Sequence, residues 1–125
     1  MPKKVLNTPS APSAMGPYSF AVEATAGLVF LSGQVGVDPA TGESADGVEA
    51  QAHQTMNNIG SLLSDVGLGF DDVVKATVFL ADMDDYAVMN QVYGSYFATP
   101  PARTAVQAAR LPGGLQIEIE VVASR

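Results

Sequence analysis

The two side chains best suited to chemistry in this sequence are Arg103 and Glu118. Arg103 follows Thr99-Pro100-Pro101-Ala102, and the two prolines stiffen the backbone that delivers it. A guanidinium on so rigid an approach suits bidentate capture of a carboxylate. The competing reading is a solvated surface arginine, since most arginines are exposed. Glu118 sits in an alternating run in which Leu115, Ile117, Ile119 and Val121 share one face and Gln116, Glu118 and Glu120 the other. A carboxylate there, once partly desolvated, could act as a general base or orient water. It also reads as an ordinary polar-face residue, as Glu120 beside it suggests. In Leu31-Ser32-Gly33-Gln34 a hydroxyl and a glycine break an apolar run, so that a ligand could approach the backbone at Gly33, or a β-bulge could form there. Gly16-Pro17-Tyr18 places a phenol after a tight turn, where it lines a pocket or packs with its hydroxyl wet.

Other chemistries find little support. The chain has no cysteine, hence no disulfide, no thiolate nucleophile and no cysteine-based zinc site. His53 is the one histidine; it lies off the apolar stripe of its helix and reads as solvated, with no histidine pair for a metal and no triad around it. Asp82, Asp84 and Asp85 lack calcium-loop spacing and read as a solvated turn with a helix cap. No phosphate-binding glycine motif is present, and neither metal nor cofactor is expected.

The elements that must position these residues follow from pattern. The 125 residues are the length of one domain, 1–125, with enough chain to bury roughly two-thirds of its unfolded surface. Apolar residues make up 47% and charged residues 15%, too little charge to cover a small domain unless part of the surface meets another subunit. A net charge of −7 disfavours nucleic-acid and anionic-membrane partners. The start, Met1-Pro2-Lys3-Lys4-Val5-Leu6-Asn7, has no long apolar core, and no run approaches the roughly 18 residues of a membrane span, so the cytoplasm is the expected location.

Tyr18 to Ala24 reads as a short strand, and Leu28 to Ser32, after an Ala26-Gly27 turn, as a strand covered on both faces. Asp38-Pro39-Ala40-Thr41-Gly42-Glu43 is turn chemistry. Val48, Ala52, Met56, Ile59, Leu62, Leu63 and Val66 recur with helical period, and Gly67 fits a left-handed cap. Val73 to Leu80 reads as a strand. Asp84 or Asp85 would cap a second helix with the stripe Tyr86, Met89, Val92, Tyr93, Tyr96 and Phe97, ended by Pro100-Pro101. Arg103 to Ala108 and Leu115 to Ala123 complete the strands. Two helices cover only one face of a sheet of about six strands.

Taken in order, these pieces resemble the Rid/YjgF family of reactive intermediate deaminases, RidA type. The resemblance runs nearly end to end. It rests on Pro101-Ala102-Arg103-Thr104, Ala109-Arg110-Leu111-Pro112 and Ile117-Glu118-Ile119-Glu120, supported by Ala14-Met15-Gly16-Pro17-Tyr18, Ser32-Gly33-Gln34, Asp38-Pro39 with Thr41-Gly42, and Asn90, Tyr93 and Phe97. It implies an α+β, chorismate-mutase-like fold of the bacillus type, two helices on one face, and a homotrimer with clefts between subunits. It implies hydrolysis of 2-imino acids and their enamines, such as 2-aminoacrylate and 2-aminocrotonate from pyridoxal-phosphate dehydratases, to 2-keto acids and ammonia, without cofactor. Arg103 would clamp the substrate carboxylate and Glu118 would orient or activate water. Tyr18, Ser32 and Gly33 would line the cleft, with Asn90 nearby. Many relatives carry a cysteine where this chain has Ala105, so a thiol cannot be required here; the Ala105 backbone remains to hold substrate or water, and an oxidation-sensitive group is lost. Competing functions are deamination of a different catabolic enamine, and a non-enzymatic trimer that binds small carboxylates or protein partners.

Overall fold

The computed structural model describes residues 3–14, 16–24 and 26–125. Met15, part of one of the motifs above, lies outside them, as do Met1 and Pro2 of the N-terminal run. The chain runs β1 (Lys3–Val5), β2 (Ala21–Ala24), β3 (Leu28–Leu31), β4 (Gln34–Val35), α1 (Val48–Asp65), β5 (Val73–Leu80), α2 (Tyr86–Gly94), β6 (Ala102–Gln107) and β7 (Ile117–Ser124). The strands form one mixed sheet in the order β1-β2-β3-β7-β5-β6, with β4 also on β7. All pairings are antiparallel except β5 with β6, which α2 connects as a crossover.

β7 is the central strand. On one side it pairs with β5 from Ile117 to Ala123. On the other, β3 covers Val122 to Ser124 and β4 covers Glu118 and Ile119. β3 and β4 are thus two pieces of one line, broken at Ser32-Gly33. The alternation in β7 is obeyed throughout, with Ile117, Ile119, Val121 and Ala123 buried. They meet Ala76, Val78 and Leu80 of β5 and the buried stripes of both helices in one core. The opposite face, with Phe30 44% exposed, is covered by no helix among the described residues.

α1 buries Ala52, Met56, Ile59, Leu62 and Leu63 and ends as its sequence requires. Gly67 takes φ 80, its N–H bonds the Ser64 carbonyl, and Leu68 N–H reaches back to Leu63. This double closure satisfies the last carbonyls, and only glycine enters that conformation without strain. Among the described residues no helix is long and apolar enough to cross a membrane.

Several expectations are corrected. The sheet has seven strands, because β1 and the two-residue β4 are too short to carry a periodic signal. β2 begins at Ala21, so Tyr18 lies in the approach loop. β3 is covered on one face only: Val29 and Leu31 are buried while Phe30 is not. β6 stops at Gln107, and β7 starts at Ile117 because the run 112–114 is a short 3₁₀ turn. Asp85 stands at the N-cap of α2, within the expected pair, but its side chain makes no capping bond; the side-chain cap is made one turn earlier, where the Asp82 carboxylate accepts Asp84 N–H at the start of the 3₁₀ turn Met83–Asp85. α2 ends at Gly94, ahead of Pro100, with Ser95 Oγ bonded to the Val92 carbonyl.

A buried polar clasp fixes α1 to the sheet. Gln51 is 6% exposed, although it reads as a polar flank of His53 in sequence. Its amide bonds the Ala45 carbonyl, Gln116 Oε1 and Gln116 N–H, closing the entry to β7. Asn58 Nδ2 donates to the carbonyls of Val35 and Val37 on the other flank. Between them Gly36 brings its backbone onto α1: a Cβ there would lie 2.6 Å from Gln51 Cα and 2.7 Å from its carbonyl oxygen. Neither neighbour is a flexible side-chain end, so backbone must move. Gly36→Ala is therefore expected to lower stability by more than the ~1–3 kcal/mol of ordinary core overpacking. Gly94→Ala, where nothing lies within 4 Å, is the matched control and should be neutral or mildly stabilising. Thermal melts of the two variants check this.

Candidate functional site

Arg103 pairs in register with Ala76, whose side chain is in the core, so Arg103 lies on the helix-bearing face of the sheet. β6 is the edge strand, and the guanidinium emerges half-buried against α2. Nη2 donates to the Tyr86 hydroxyl at 3.0 Å and Nη1 to Met89 Sδ at 3.5 Å. The guanidinium carbon stands 4.9 Å from the Tyr93 ring centroid and 5.5 Å from that of Tyr86. Residues 86, 89 and 93 follow the helical period and present one wall. Aromatic faces attract a guanidinium without neutralising it. Among the described residues the salt bridge formed is Arg125 with Glu23, and no carboxylate reaches Arg103. Its charge is thus held in place with donors to spare.

Ala105 follows on the same face, packed partly against the core. Asn90 lies on α2 beside Met89. Asn90 Oδ1 and the Tyr93 hydroxyl are buried and have no partner among the described residues. Burial raises the Tyr93 pKa, an effect that the nearby Arg103 charge partly offsets, so the phenol stays protonated at neutral pH.

Glu118 is on the opposite face. It pairs with Val35 on one side and Phe79 on the other, half-buried over the break between β3 and β4. A Cβ on Gly33 would collide with Glu118 Oε2 and come within 3.1 Å of its Cδ. The missing side chain at Gly33 is therefore what leaves room for this carboxylate. Burial, and secondarily the charge of Glu120, raise the Glu118 pKa above the ordinary glutamate range. Ser32 fixes the break to the loop before β2: its Oγ donates to the Ser19 carbonyl at 2.5 Å and its N–H to Phe20 at 2.8 Å. Ser19, Ser32, Thr77, Lys75 and Glu120 line a shallow groove of about 490 Å³ on this face. Tyr18, 47% exposed, packs edge-on against Phe20 at 5.2 Å.

The seven expected site residues therefore fall into two groups. Arg103, Ala105 and Asn90 gather at the β6–α2 edge; Glu118, Gly33, Ser32 and Tyr18 gather on the open face or its approach. A single chain does not bring Arg103 to Glu118. Tyr86 and Met89 enter the sequence reading only as part of an apolar stripe, and Tyr93 as part of that stripe and of the family pattern; two phenols on one helical face preceding a strand arginine were the available signal for their place at the site. His53, expected to be solvated, is exposed and bonds the Tyr96 hydroxyl at 2.8 Å. A second depression, of about 920 Å³ along Ala109 to Leu115, holds none of the seven. No cluster of potential metal ligands occurs among the described residues.

Comparison with known proteins places this geometry in context. A family model described as Endoribonuclease L-PSP matches residues 8–125. Protein DfrA of Myxococcus xanthus is 48% identical, the alignment covering 98% of this chain and 96% of that protein. The 2-iminobutanoate/2-iminopropanoate deaminase of Mus musculus is 46% identical, over 97% of this chain and 90% of its own. A crystal structure of E. coli TdcF with bound serine has a TM-score of 0.92 at 41% identity and covers 98% of both chains. That solved relative shares the α+β arrangement of two helices on a mixed sheet.

The electrostatics of Glu118 are testable directly. In a carboxyl-detected NMR titration Glu118 is expected to take up its proton at higher pH than an ordinary glutamate. In Glu120→Gln its midpoint should fall, because a like charge that favours the neutral form has been removed.

Proposed function

We propose that this chain, which belongs to the Endoribonuclease L-PSP (Rid/YjgF) family, hydrolyses reactive 2-imino acids and their enamine tautomers to 2-keto acids and ammonia. The observation that carries the reading is the half-buried Arg103 guanidinium, held by Tyr86, Met89 and Tyr93 and unmatched by any carboxylate among the described residues. Its remaining N–H donors suit a substrate carboxylate. Glu118, whose pKa is raised by burial and by the charge of Glu120, is a stronger base than an ordinary glutamate and suits proton transfer.

The step balances simply. Glu118 takes a proton from water as the water oxygen bonds to the imine carbon, and that proton passes on to the imine nitrogen, which leaves Glu118 a carboxylate again. The resulting carbinolamine loses ammonia as its C–N bond breaks and the keto C=O forms. The imine carbon is already electrophilic, so placing water and fixing the carboxylate supply most of what is needed. In this reading Tyr18, Ser32 and Gly33 line the cleft, and Asn90 and the Ala105 backbone face the substrate from the Arg103 side. A cytoplasmic setting would place the protein alongside the dehydratases that release such imines.

Because Arg103 and Glu118 lie on opposite faces, the reaction needs a second copy. We place the site between subunits of a homotrimer of chorismate-mutase-like fold, the Arg103 edge of one protomer facing the Glu118 face of the next. The open sheet face, with Phe30 and Val106 both more than 40% exposed, and the sparse charge support such packing. Deamination of a different catabolic enamine would use the same groups. Carboxylate binding without turnover is the reading from another class. Cleavage of RNA fits poorly with a net charge of −7 and a single histidine that is committed to Tyr96.

The test generates 2-aminoacrylate in situ with a pyridoxal-phosphate serine or threonine dehydratase and follows loss of the enamine absorbance. Wild type should accelerate the loss, and Arg103→Ala should reduce kcat/KM by at least about a hundredfold, the equivalent of two charge-assisted hydrogen bonds. Glu118→Gln should lower turnover by ~10²–10⁴-fold while 2-keto acid binding persists. Folded wild type that binds 2-keto acids through Arg103 but never accelerates decay of this or bulkier imines would leave the binder reading in place. Activity should fail as pH drops through the Glu118 titration, since the base must be unprotonated, and a raised pKa moves that limb upward.

A further inference from the structure

We infer that Tyr86 is a positioning residue: its hydroxyl holds the Arg103 guanidinium in the plane in which it receives a carboxylate. The inference rests on the carboxylate-clamp reading of Arg103 and extends it to a residue that this reading does not otherwise use.

Among the described residues Arg103 has no acidic partner to orient it. The Tyr93 face, 4.9 Å away, attracts the guanidinium but fixes no rotation within its plane, and the thioether of Met89 is a weak acceptor. The Tyr86 hydroxyl, accepting from Nη2 at 3.0 Å, is the one strong directional bond on the group. It occupies an edge donor and leaves the others pointing outward.

Tyr86 is itself held by the strand that bears Arg103. It is the first residue of α2, directly after the turn capped by Asp82. That turn is bonded to β6, because Met83 N–H donates to Gln107 Oε1 at 2.8 Å. The strand thus carries the arginine near one end and, through Gln107 at the other, fixes the phenol that orients it. Tyr86 is nonetheless 41% exposed and makes no contribution to the buried core. An exposed phenol whose hydroxyl is aimed at a guanidinium fits a role at a site better than a role in packing. Arginine carries large rotamer entropy, and restricting it before the ligand arrives lowers the cost of binding.

Carboxylate binding persists from ground state to transition state, so the loss should appear in binding rather than in turnover. In Tyr86→Phe, the Kd for a non-reacting 2-keto acid, by calorimetry, and KM in the enamine assay should both rise about three- to tenfold, with kcat within about twofold. The melting temperature should not change. On an Arg103→Lys background, which lacks the planar fork, adding Tyr86→Phe should weaken binding no further. Unchanged Kd and KM in Tyr86→Phe would overturn the inference, as would an equal further loss on the Arg103→Lys background. Arg103→Ala separates the two levels. If it binds 2-keto acid like wild type, the clamp itself is wrong; if it loses binding while Tyr86→Phe does not, only the role of Tyr86 falls.

Discussion

The alternation of β7 between two sets of partners is the constraint on which the rest of the molecule depends. β7 is paired along both edges, so its register cannot drift. A slip by one residue would exchange Ile117, Ile119 and Val121 for Glu118 and Glu120 in the core, with two carboxylates buried and unpaired. The core therefore fixes the face on which Glu118 stands. Both helices lie on the other face, which leaves Glu118 the only environment in which a carboxylate can be partly dehydrated without being sealed in. The break at Ser32-Gly33 refines this, because the glycine gives the carboxylate room and Ser32 ties the break down.

Arg103 obeys the opposite logic. At the neighbouring central position, Ala76, an arginine on the helix-bearing face would be buried without a counter-charge. Moved one strand outward to the edge, the same face borders α2 instead of the dry core. There the side chain is half-buried, with phenols and a thioether around its head. The parallel pairing of β6 on β5 depends on α2 as its crossover, so the helix that makes β6 possible also supplies the wall around its arginine. Glu118 and Arg103 end up on opposite faces by the same rules that stabilise the sheet, and the proposed site, which uses both, must join two copies.

Long periodic elements were legible in the sequence. The α1 stripe, its Gly67 cap, the β5 run and the β7 alternation all stand where their patterns put them, because burial of one face imposes the period. β1 and β4 were not legible, since two or three residues carry no period. Of three nearby aspartates, Asp85 takes the N-cap position of α2, as the sequence allowed, while the side-chain cap belongs to Asp82 and the preceding turn, a choice that only local geometry makes. Gln51 was missed because a polar residue on a helix gives no sign of whether it is solvated or clasped. For the site, residue type and family pattern selected Arg103 and Glu118, but neither records that they face apart. That fact follows from the β5–β6 register, a long-range pairing no local pattern encodes.

A net charge of −7 stands against the proposed capture of an anionic substrate, and distance resolves the conflict. At physiological salt the field of a surface charge decays over about 8 Å, so scattered carboxylates contribute little at a half-buried guanidinium a few residues away. What counts is the local dielectric, and Tyr93 and Met89 lower it where Arg103 sits. An acidic partner there would neutralise the group before any ligand arrived; an aromatic wall orients it and leaves its charge available. The same reasoning applies in reverse to Glu118. Its raised pKa comes first from burial and second from Glu120 close by, not from the distant charge of the protein. Both groups are tuned by neighbours fixed in the sheet or on α2, and so the acidity of the chain as a whole places little constraint on the chemistry of its site.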